Sequence, residues 1–285
     1  MRVDLHTHSR ASDGTLTPSE LMAAAAAAHL DVIGLTDHDT TSGWDEAVAS
    51  LATLARPLGI ALGAEISCHT DDGISVHLVG LLFDRNDVAL TKTLETSRDD
   101  RIPRMHAMIG KLNAAGIDVT FADVERETSY GATLGRPHLA DALVGKGVVA
   151  SRDAAFADLL GNDSPFYVGH LAPTPVQAIE LVKAAGGVAI LAHPGAGARG
   201  RTVNVAAIEE MAGAGLDALE VDHRDHDDKT RDELRGVAAG LGLLVTGSSD
   251  YHGAGKLNLL GENLTSEDAW IELARRAYGN EVRFA

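Results

Sequence analysis

The 285-residue chain has 45% apolar and 23% charged residues, an ordinary globular composition that can fill one large barrel, or one domain carrying an insertion. A formal net charge of −17 without a basic stripe argues against holding duplex nucleic acid by its phosphates, and no apolar run nears the ~20 residues of a membrane span. One cysteine, Cys68, excludes an internal disulfide framework, and a start that runs straight into Asp4 and His6 leaves no room for a signal peptide, so a cytoplasmic location is expected.

Val3–Leu5 reads as a short first strand, followed by a loop through Asp13-Gly14. Thr17-Pro18-Ser19-Glu20 reads as a helix start, with Thr at the N-cap, Pro at the first helical position and Glu three residues after the cap. The helix then runs to about His29. Asp31–Thr36 is a short apolar run, read as a buried strand, that ends in Thr36-Asp37-His38-Asp39. Trp44–Arg56 reads as helix, Ile60–Ala64 as a strand delivering Glu65, and Ile74–Phe83 as another strand with His77 inside it. Val88–Gly116 reads as a helix that Pro103 should break or kink. Residues 121–162 give short helices and loops, among them Gly135-Arg136-Pro137-His138.

Residues 98–166 are therefore expected to form an inserted helical subdomain, with 1–97 and 167–285 making the main domain. Its Arg98, Arg101 and Arg104 are the chain's one basic cluster, interrupted by Asp99 and Asp100. After it, Thr174-Pro175-Val176-Gln177 repeats the helix-start pattern. Gly187–Ala192 is a strand ending in His193-Pro194-Gly195, and Leu216–Val221 is a strand leading to Asp222-His223-Arg224-Asp225-His226. Leu243–Gly247 is a strand before Asp250-Tyr251-His252. Helices fill 203–214, 229–241 and 269–278. About seven alternating strand–helix units imply a parallel sheet closed as a TIM-type barrel.

Most of the chemistry-bearing residues sit at or near predicted strand ends. His6 and His8 stand two apart, so both side chains can reach one point, and histidine is the commonest metal ligand. Asp13, His38, Glu65, His77, His193, Asp250 and His252 follow in the same kind of position. His77 alone, in an apolar strand, would be read as a satisfied core histidine; nine such residues in order read as a metal cluster. Mixed imidazole and carboxylate donors without a cysteine cluster suit Mn, Fe or Zn. The two oxygens of Glu65 can bridge a pair of ions.

These motifs resemble those of the PHP family, which joins bacterial DNA polymerases and histidinol phosphatases and is dominated by metal-dependent phosphoesterases. The resemblance covers the chain outside the insertion. It implies an α/β fold, a distorted (β/α)7 TIM-like barrel with a small inserted helical subdomain, and two to three divalent ions. One ion would be held by His6, His8, Glu65 and Asp250; a second by Glu65, His77 and His193; a third by Asp13, His38 and His252. Three divalent ions would bring about six positive charges against three carboxylates, and an excess of about three favours a phosphate ligand. The expected reaction is attack on phosphorus by a metal-bridging hydroxide, with Asp13 and Glu65 catalytic as well as ligating.

Within the family the chain most resembles stand-alone phosphoesterases of the nucleoside 3′,5′-bisphosphate phosphatase type, on the insertion with Gly135-Arg136-Pro137-His138 and the contexts of Asp13 and Val221. Such enzymes remove the 3′-phosphate, and some trim short oligonucleotides from the 5′ end. A small phosphorylated substrate is thus expected, a nucleotide above others, with no duplex nucleic acid, no membrane and no obligate protein partner. Arg136 and His138 are candidates for a second phosphate, against a surface salt bridge; Arg199 and Arg201 are weaker ones. His223 and His226 are candidates to protonate the leaving oxygen or contact phosphate, against a solvated loop. The Asp222-His223-Arg224 segment departs from the pattern of relatives, which puts the contact there in doubt. Asp4, Asp37 and Asp39 either orient ligand imidazoles or cap turns. His29, His69, His106 and His170 are assigned to structural or solvated positions, and Tyr130, Phe156, Phe166 and Tyr167 to core packing before base stacking. Histidinol phosphate hydrolysis, hydrolysis of another phosphoester, an amidohydrolase-type cleavage of a C–N or ester bond, and a metal-free structural module are the other readings.

Overall fold

The computed structural model describes residues 1–284, with every side chain except that of Arg199. The chain order is β1 (Val3–Thr7), α1 (Pro18–Ala27), β2 (Val32–Leu35), α2 (Trp44–Leu51), β3 (Gly59–His69), β4 (Ser75–Leu81) and α3 (Val88–Ala114). Then come α4 (Phe121–Glu127), α5 (Arg136–Gly145), α6 (Arg152–Ala155), α7 (Pro175–Ala184), β5 (Val188–Leu191), α8 (Val205–Gly213) and β6 (Ala218–Asp222). The chain closes with α9 (Asp228–Leu241), β7 (Leu244–Gly247), α10 (Glu267–Arg276) and β8 (Arg283–Phe284).

The strands lie in the order β1 to β7, with β8 added beside β3. The sheet curls until its ends meet: Thr7 bridges to Tyr251, and His8 N–H donates to Tyr251 O at 2.9 Å. This is a near-closed, seven-stranded distorted TIM-like barrel flanked by helices. The expectation of an all-parallel sheet fails at one strand. β4 pairs antiparallel with both β3 and β5. The physical reason is the connection: only Thr70–Ile74 separates β3 from β4, enough for a hairpin turn but not for a parallel crossover. As a result β3 runs past Glu65 to His69, and Glu65 sits mid-strand rather than at a strand end.

The two Thr-Pro helix starts form as read. Thr17 and Thr174 each accept from the backbone N–H three residues on, while Glu20 and Gln177 reach back to the cap. Helices α1, α2, α7, α8 and α9 pack Leu21, Met22, Trp44, Ile179, Met211 and Leu234 onto one face of the strands. Trp44 also donates its indole N–H to Gly63 O at 3.0 Å. Val3, Leu5, Leu81, Val188 and Ile190 form a second cluster closed by Trp270 and Leu273 of α10.

A third cluster belongs to the helical insertion: Met105, Met108, Leu112, Val124, Leu139, Leu143 and Leu160. Helix α3 serves two clusters. Its Leu90 and Leu94 belong to the barrel core and its Met105 to Leu112 to the insertion. Pro103 does not break it; the helix runs 27 residues through the proline, because packing on both sides outweighs one lost backbone hydrogen bond. Phe156 and Phe166 pack against the insertion core. Tyr130 does not: it is fully exposed, in a loop where Thr133 N–H donates to Ala11 O at 2.9 Å.

Candidate metal centre

Two strand irregularities aim the innermost side chains. The β1–β2 register shifts between Asp4 and Thr7, around His6, and the β6–β7 register shifts between Glu220 and Asp222. Bulges of this kind turn side chains that regular pleating would send elsewhere. His6 Nε2 then lies 3.1 Å from His8 Nε2, and both approach Glu65 Oε2, at 3.2 and 3.1 Å. Asp250 Oδ1 joins them at 3.6 Å from His6 and 3.4 Å from His8. On β4, His77 Nδ1 is 2.6 Å from Glu65 Oε1, and His193 Nε2 reaches the same oxygen at 3.2 Å. Asp13 stands against His252 Nε2 at 3.3 Å, His8 Nδ1 at 3.6 Å and His38 Nε2 at 3.7 Å. The loop carrying Asp13 tucks under His8 so closely that a Cβ on Gly14 would come within 2.5 Å of His8 O.

All nine sequence candidates are thus drawn to one place, and the donor atoms of eight of them fall into three compact sets. These are His6, His8, Glu65 and Asp250; His8, Asp13, His38 and His252; and His38, Glu65 and His77. His8, His38 and Glu65 are each shared between two sets, and His193 flanks the third through Glu65. The chemistry of the donors fits one or more divalent cations. Two imidazole nitrogens 3.1 Å apart and aimed at the same carboxylate oxygen are lone pairs converging on a positive charge. His38 Nδ1 is buried and makes no hydrogen bond although Glu65 Oε2 is 3.1 Å away.

The electrostatics of the cluster divide: against burial, Glu65, Glu220 and Asp250 hold His6 well above its ordinary range, and Asp250 and Glu65 hold His8 up at about 9. Burial works to raise Asp13 and Glu65, yet His252 and His38 hold the first, and His38 and His77 the second, well below the usual carboxylate range. Burial pushes His38 well down and His252 to about 4. Both are therefore neutral and present lone pairs beside Asp13, the form that metal binding needs.

Backbone conformation marks the same region. Asp39, His193 and Asp250 all have positive φ, at 50°, 31° and 50°, a conformation that costs energy for residues with a Cβ and gathers at functional sites. The supporting shell differs from the sequence reading. Among the described residues Asp4, Asp37 and Asp39 make no hydrogen bond or ion pair with a candidate imidazole; they fasten loops. Asp4 accepts from the N–H groups of Ser249 and Gly261 at 3.0 and 2.8 Å, Asp37 from Ser9 and Ser12, and Asp39 from Ser67 N–H and Arg101. The residue that orients an imidazole is Glu220, which sequence reading passed over. Its Oε1 is 3.1 Å from His6 Nδ1, and its Oε2 accepts the backbone N–H of His193 at 2.8 Å. Its one sequence signal is a carboxylate in the apolar run Ala218-Leu219-Glu220-Val221.

The remaining candidates separate. His226 donates from Nδ1 to Val221 O at 2.8 Å and accepts at Nε2 from Gly195 N–H at 3.0 Å. Both nitrogens are spent on the backbone, so it ties two loops together and has no site left for moving a proton. His138 accepts Gly135 N–H at 3.1 Å and caps α5. His223 is buried, with Nδ1 accepting from Asp225 N–H at 3.1 Å and Nε2 3.6 Å from Asp250 Oδ2. Arg201 pairs with Asp72; the side chain of Arg199 lies outside the described residues. Arg136 makes no surface salt bridge among the described residues. It donates to Leu160 O and Asn162 Oδ1, both at 2.8 Å, and lines a cavity of about 100 Å³ with His77, His193, Asn162 and Arg201.

Residues 4–138 match the PHP domain model. Over 258 residues the chain is 36% identical to the 3′,5′-nucleoside bisphosphate phosphatase of Chromobacterium violaceum, which spans 89% of this chain and 88% of that protein. The chain belongs to the PHP family. This PHP chain is also 35% identical over 274 residues to a 5′-3′ exoribonuclease of Haemophilus influenzae, across 95% of its own length and 97% of the relative's. A crystal structure described as a metal-dependent phosphoesterase from Bifidobacterium adolescentis superposes with a TM-score of 0.91 at 38% identity, over 97% of this chain and 96% of that one. Family, fold and donor clusters together make the PHP chain a metal-dependent phosphoesterase that acts on a small phosphoester. No helix of the described residues is long and apolar enough to cross a membrane.

Proposed function

We propose that this PHP phosphoesterase removes the 3′-phosphate of a nucleoside 3′,5′-bisphosphate and leaves the 5′-nucleotide. The observation that carries the reading is a pairing of charges across one cavity. Two members of the donor cluster, His77 and His193, and a guanidinium without a carboxylate partner among the described residues, Arg136, line the same space. A substrate with two phosphates fits a site with two positive poles. The similarity to the Chromobacterium violaceum phosphatase supports the same substrate.

Up to three divalent ions, Mn, Fe or Zn, would be held by the three donor sets, two of which include Glu65. Such ions supply a polarised phosphoryl oxygen and an activated water. The chain's own residues do the rest. Glu220 fixes the ring of His6 and the backbone of His193. His223 has a buried Nε2 without a hydrogen-bond partner; with Nδ1 accepting from Asp225 N–H, Nε2 carries the ring's one proton and can donate a hydrogen bond to a phosphate oxygen.

The test is phosphate release from adenosine 3′,5′-bisphosphate by manganese-loaded enzyme, assayed beside AMP, histidinol phosphate and a short 5′-phosphorylated oligonucleotide. Release of phosphate with AMP as product is expected. Turnover of the oligonucleotide alone would favour an exonuclease, the reading suggested by the match to nearly the whole Haemophilus influenzae relative. Turnover of histidinol phosphate alone would overturn the nucleotide substrate.

A further inference from the structure

The three carboxylates of the donor sets are not used alike. Glu65 turns Oε2 to His6, His8 and His38, and Oε1 to His77 and His193. Asp13 turns Oδ1 to His8 and His252, and Oδ2 to His38. Asp250 divides differently. Its Oδ1 faces His6, His8 and Nδ1 of His252, the last at 3.5 Å. Its Oδ2 faces Lys256 Nζ at 2.9 Å, with His223 Nε2 at 3.6 Å. Among the described residues Lys256 is the one lysine or arginine paired with a carboxylate of the donor sets.

The pair is built into the fold. Asp250 is 1% exposed and Lys256 30%, so a buried carboxylate is met by a largely buried ammonium. The segment that carries Lys256 is pinned on both sides of it. Gly253, at a φ of 68°, sits against Thr15, where a Cβ would come within 2.0 Å of Oγ1. The same hydroxyl accepts Ala254 N–H at 2.9 Å. A Cβ on Gly255 would meet the Arg152 guanidinium at 2.1 Å. Past Lys256, Asn258 donates to Ser249 O at 2.6 Å. An exposed lysine pair on a free stem contributes little; a lysine on a pinned segment against a buried carboxylate holds one geometry.

We infer that Lys256 is a positioning residue that reserves Oδ2 of Asp250, so that this ligand offers a divalent cation one oxygen and does not close on it with two. A carboxylate with both oxygens free can bind an ion through both. The second oxygen would fill the position that a catalytic ion keeps open for water or substrate. The ammonium also repels a dication beside it, so Lys256 weakens the hold on the ion while it keeps that position open. The inference rests on the metal dependence of the enzyme and not on which phosphoester it cleaves.

The experiment compares manganese-loaded wild type with three variants. Lys256→Met removes the ammonium, Lys256→Gln leaves a neutral donor, and Lys256→Arg keeps the cation. Competition with a chelator measures manganese affinity, and the paramagnetic relaxation of solvent water measures open positions on the ion. Lys256→Met is expected to bind manganese about tenfold more tightly and to relax water less per bound ion. It should release phosphate from the best wild-type substrate about 10- to 100-fold more slowly, through kcat. Lys256→Gln should fall between, and Lys256→Arg should recover most of the wild-type relaxation.

Weaker manganese binding by Lys256→Met would overturn the inference, since that is the result of removing a residue that only steadies a ligand. Unchanged water relaxation in both Lys256→Met and Lys256→Gln would overturn it as well, because Oδ2 would then stay off the ion without the lysine. The two metal readouts need no turnover, so they decide the role of Lys256 even where the wild type leaves adenosine 3′,5′-bisphosphate intact and the proposed substrate falls.

Discussion

Glu220 Oε1 stands 3.1 Å from Nδ1 of His6, on the edge of the ring away from His8, Glu65 and Asp250. A carboxylate there fixes the tautomer, so that Nε2 presents its lone pair to the cluster, and raises the ring's basicity. Glu220→Gln is expected to lower metal affinity about 10- to 100-fold. Metal content after dialysis against graded chelator measures this; unchanged content would assign Glu220 to packing alone.

His252 and His38 approach Asp13 from opposite sides. Replacing either with alanine should remove one bound ion per chain and collapse turnover. Exhaustive chelation should abolish activity in the parent enzyme, and added manganese should restore it. The readout is metal stoichiometry beside phosphate release. Full activity after clean loss of that ion would reject a three-ion centre.

The Arg101–Asp39 pair ties the insertion to the loop after β2, with both side chains buried. Asp39 has a positive φ, which asparagine tolerates, so Asp39→Asn removes the charge without adding backbone strain. It leaves a buried guanidinium unpaired and should cost about 3–5 kcal/mol. Urea denaturation would register the loss; a change below about 1 kcal/mol would mean that water reaches the pair.

In the insertion, Asp123 caps α4 by accepting from the hydroxyl and N–H of Thr120 at 2.7 and 2.8 Å. The Thr120 hydroxyl and N–H, then Lys146, hold its carboxyl at about 2, below the ordinary 3.8. A depressed carboxyl contributes stability that is fully present above its unfolded value and is lost as pH falls through the folded one. The Thr120 amide should therefore lose hydrogen-exchange protection between about 3.8 and about 2. Asp123→Asn should flatten that dependence; identical profiles would show that the cap does not respond to charge.

Most candidate ligands were legible because they stand at or near a break between an apolar run and a polar loop, Glu65 and His77 inside strands by the company of the others, and the Thr-Pro helix starts because capping is local. Glu220 was hidden by its neighbours: three apolar residues made its strand look uniformly buried, and only the bulge before Asp222 turns it toward His6. The reversed direction of β4 was written in the five-residue link Thr70–Ile74, whose Asp71-Asp72-Gly73 is a turn signal. The strand–helix rhythm of the rest of the chain overrode it. Tyr130 shows the limit of composition, since an aromatic side chain in a helical insertion gives no sign of which way its loop faces.

Helix α3 carries a consequence for how such a protein can change. Leu90 and Leu94 anchor one end of it among the barrel strands, while Met105, Met108 and Leu112 nucleate the insertion from the other. The helical insertion is thus not a cassette that recombination can lift out at two loops. Excising it would sever a rod in mid-span and leave a short stub to cover the barrel wall. Descent with new substrate preferences is expected to proceed by point changes along this rod and the segments packed on it, rather than by exchange of the whole insertion.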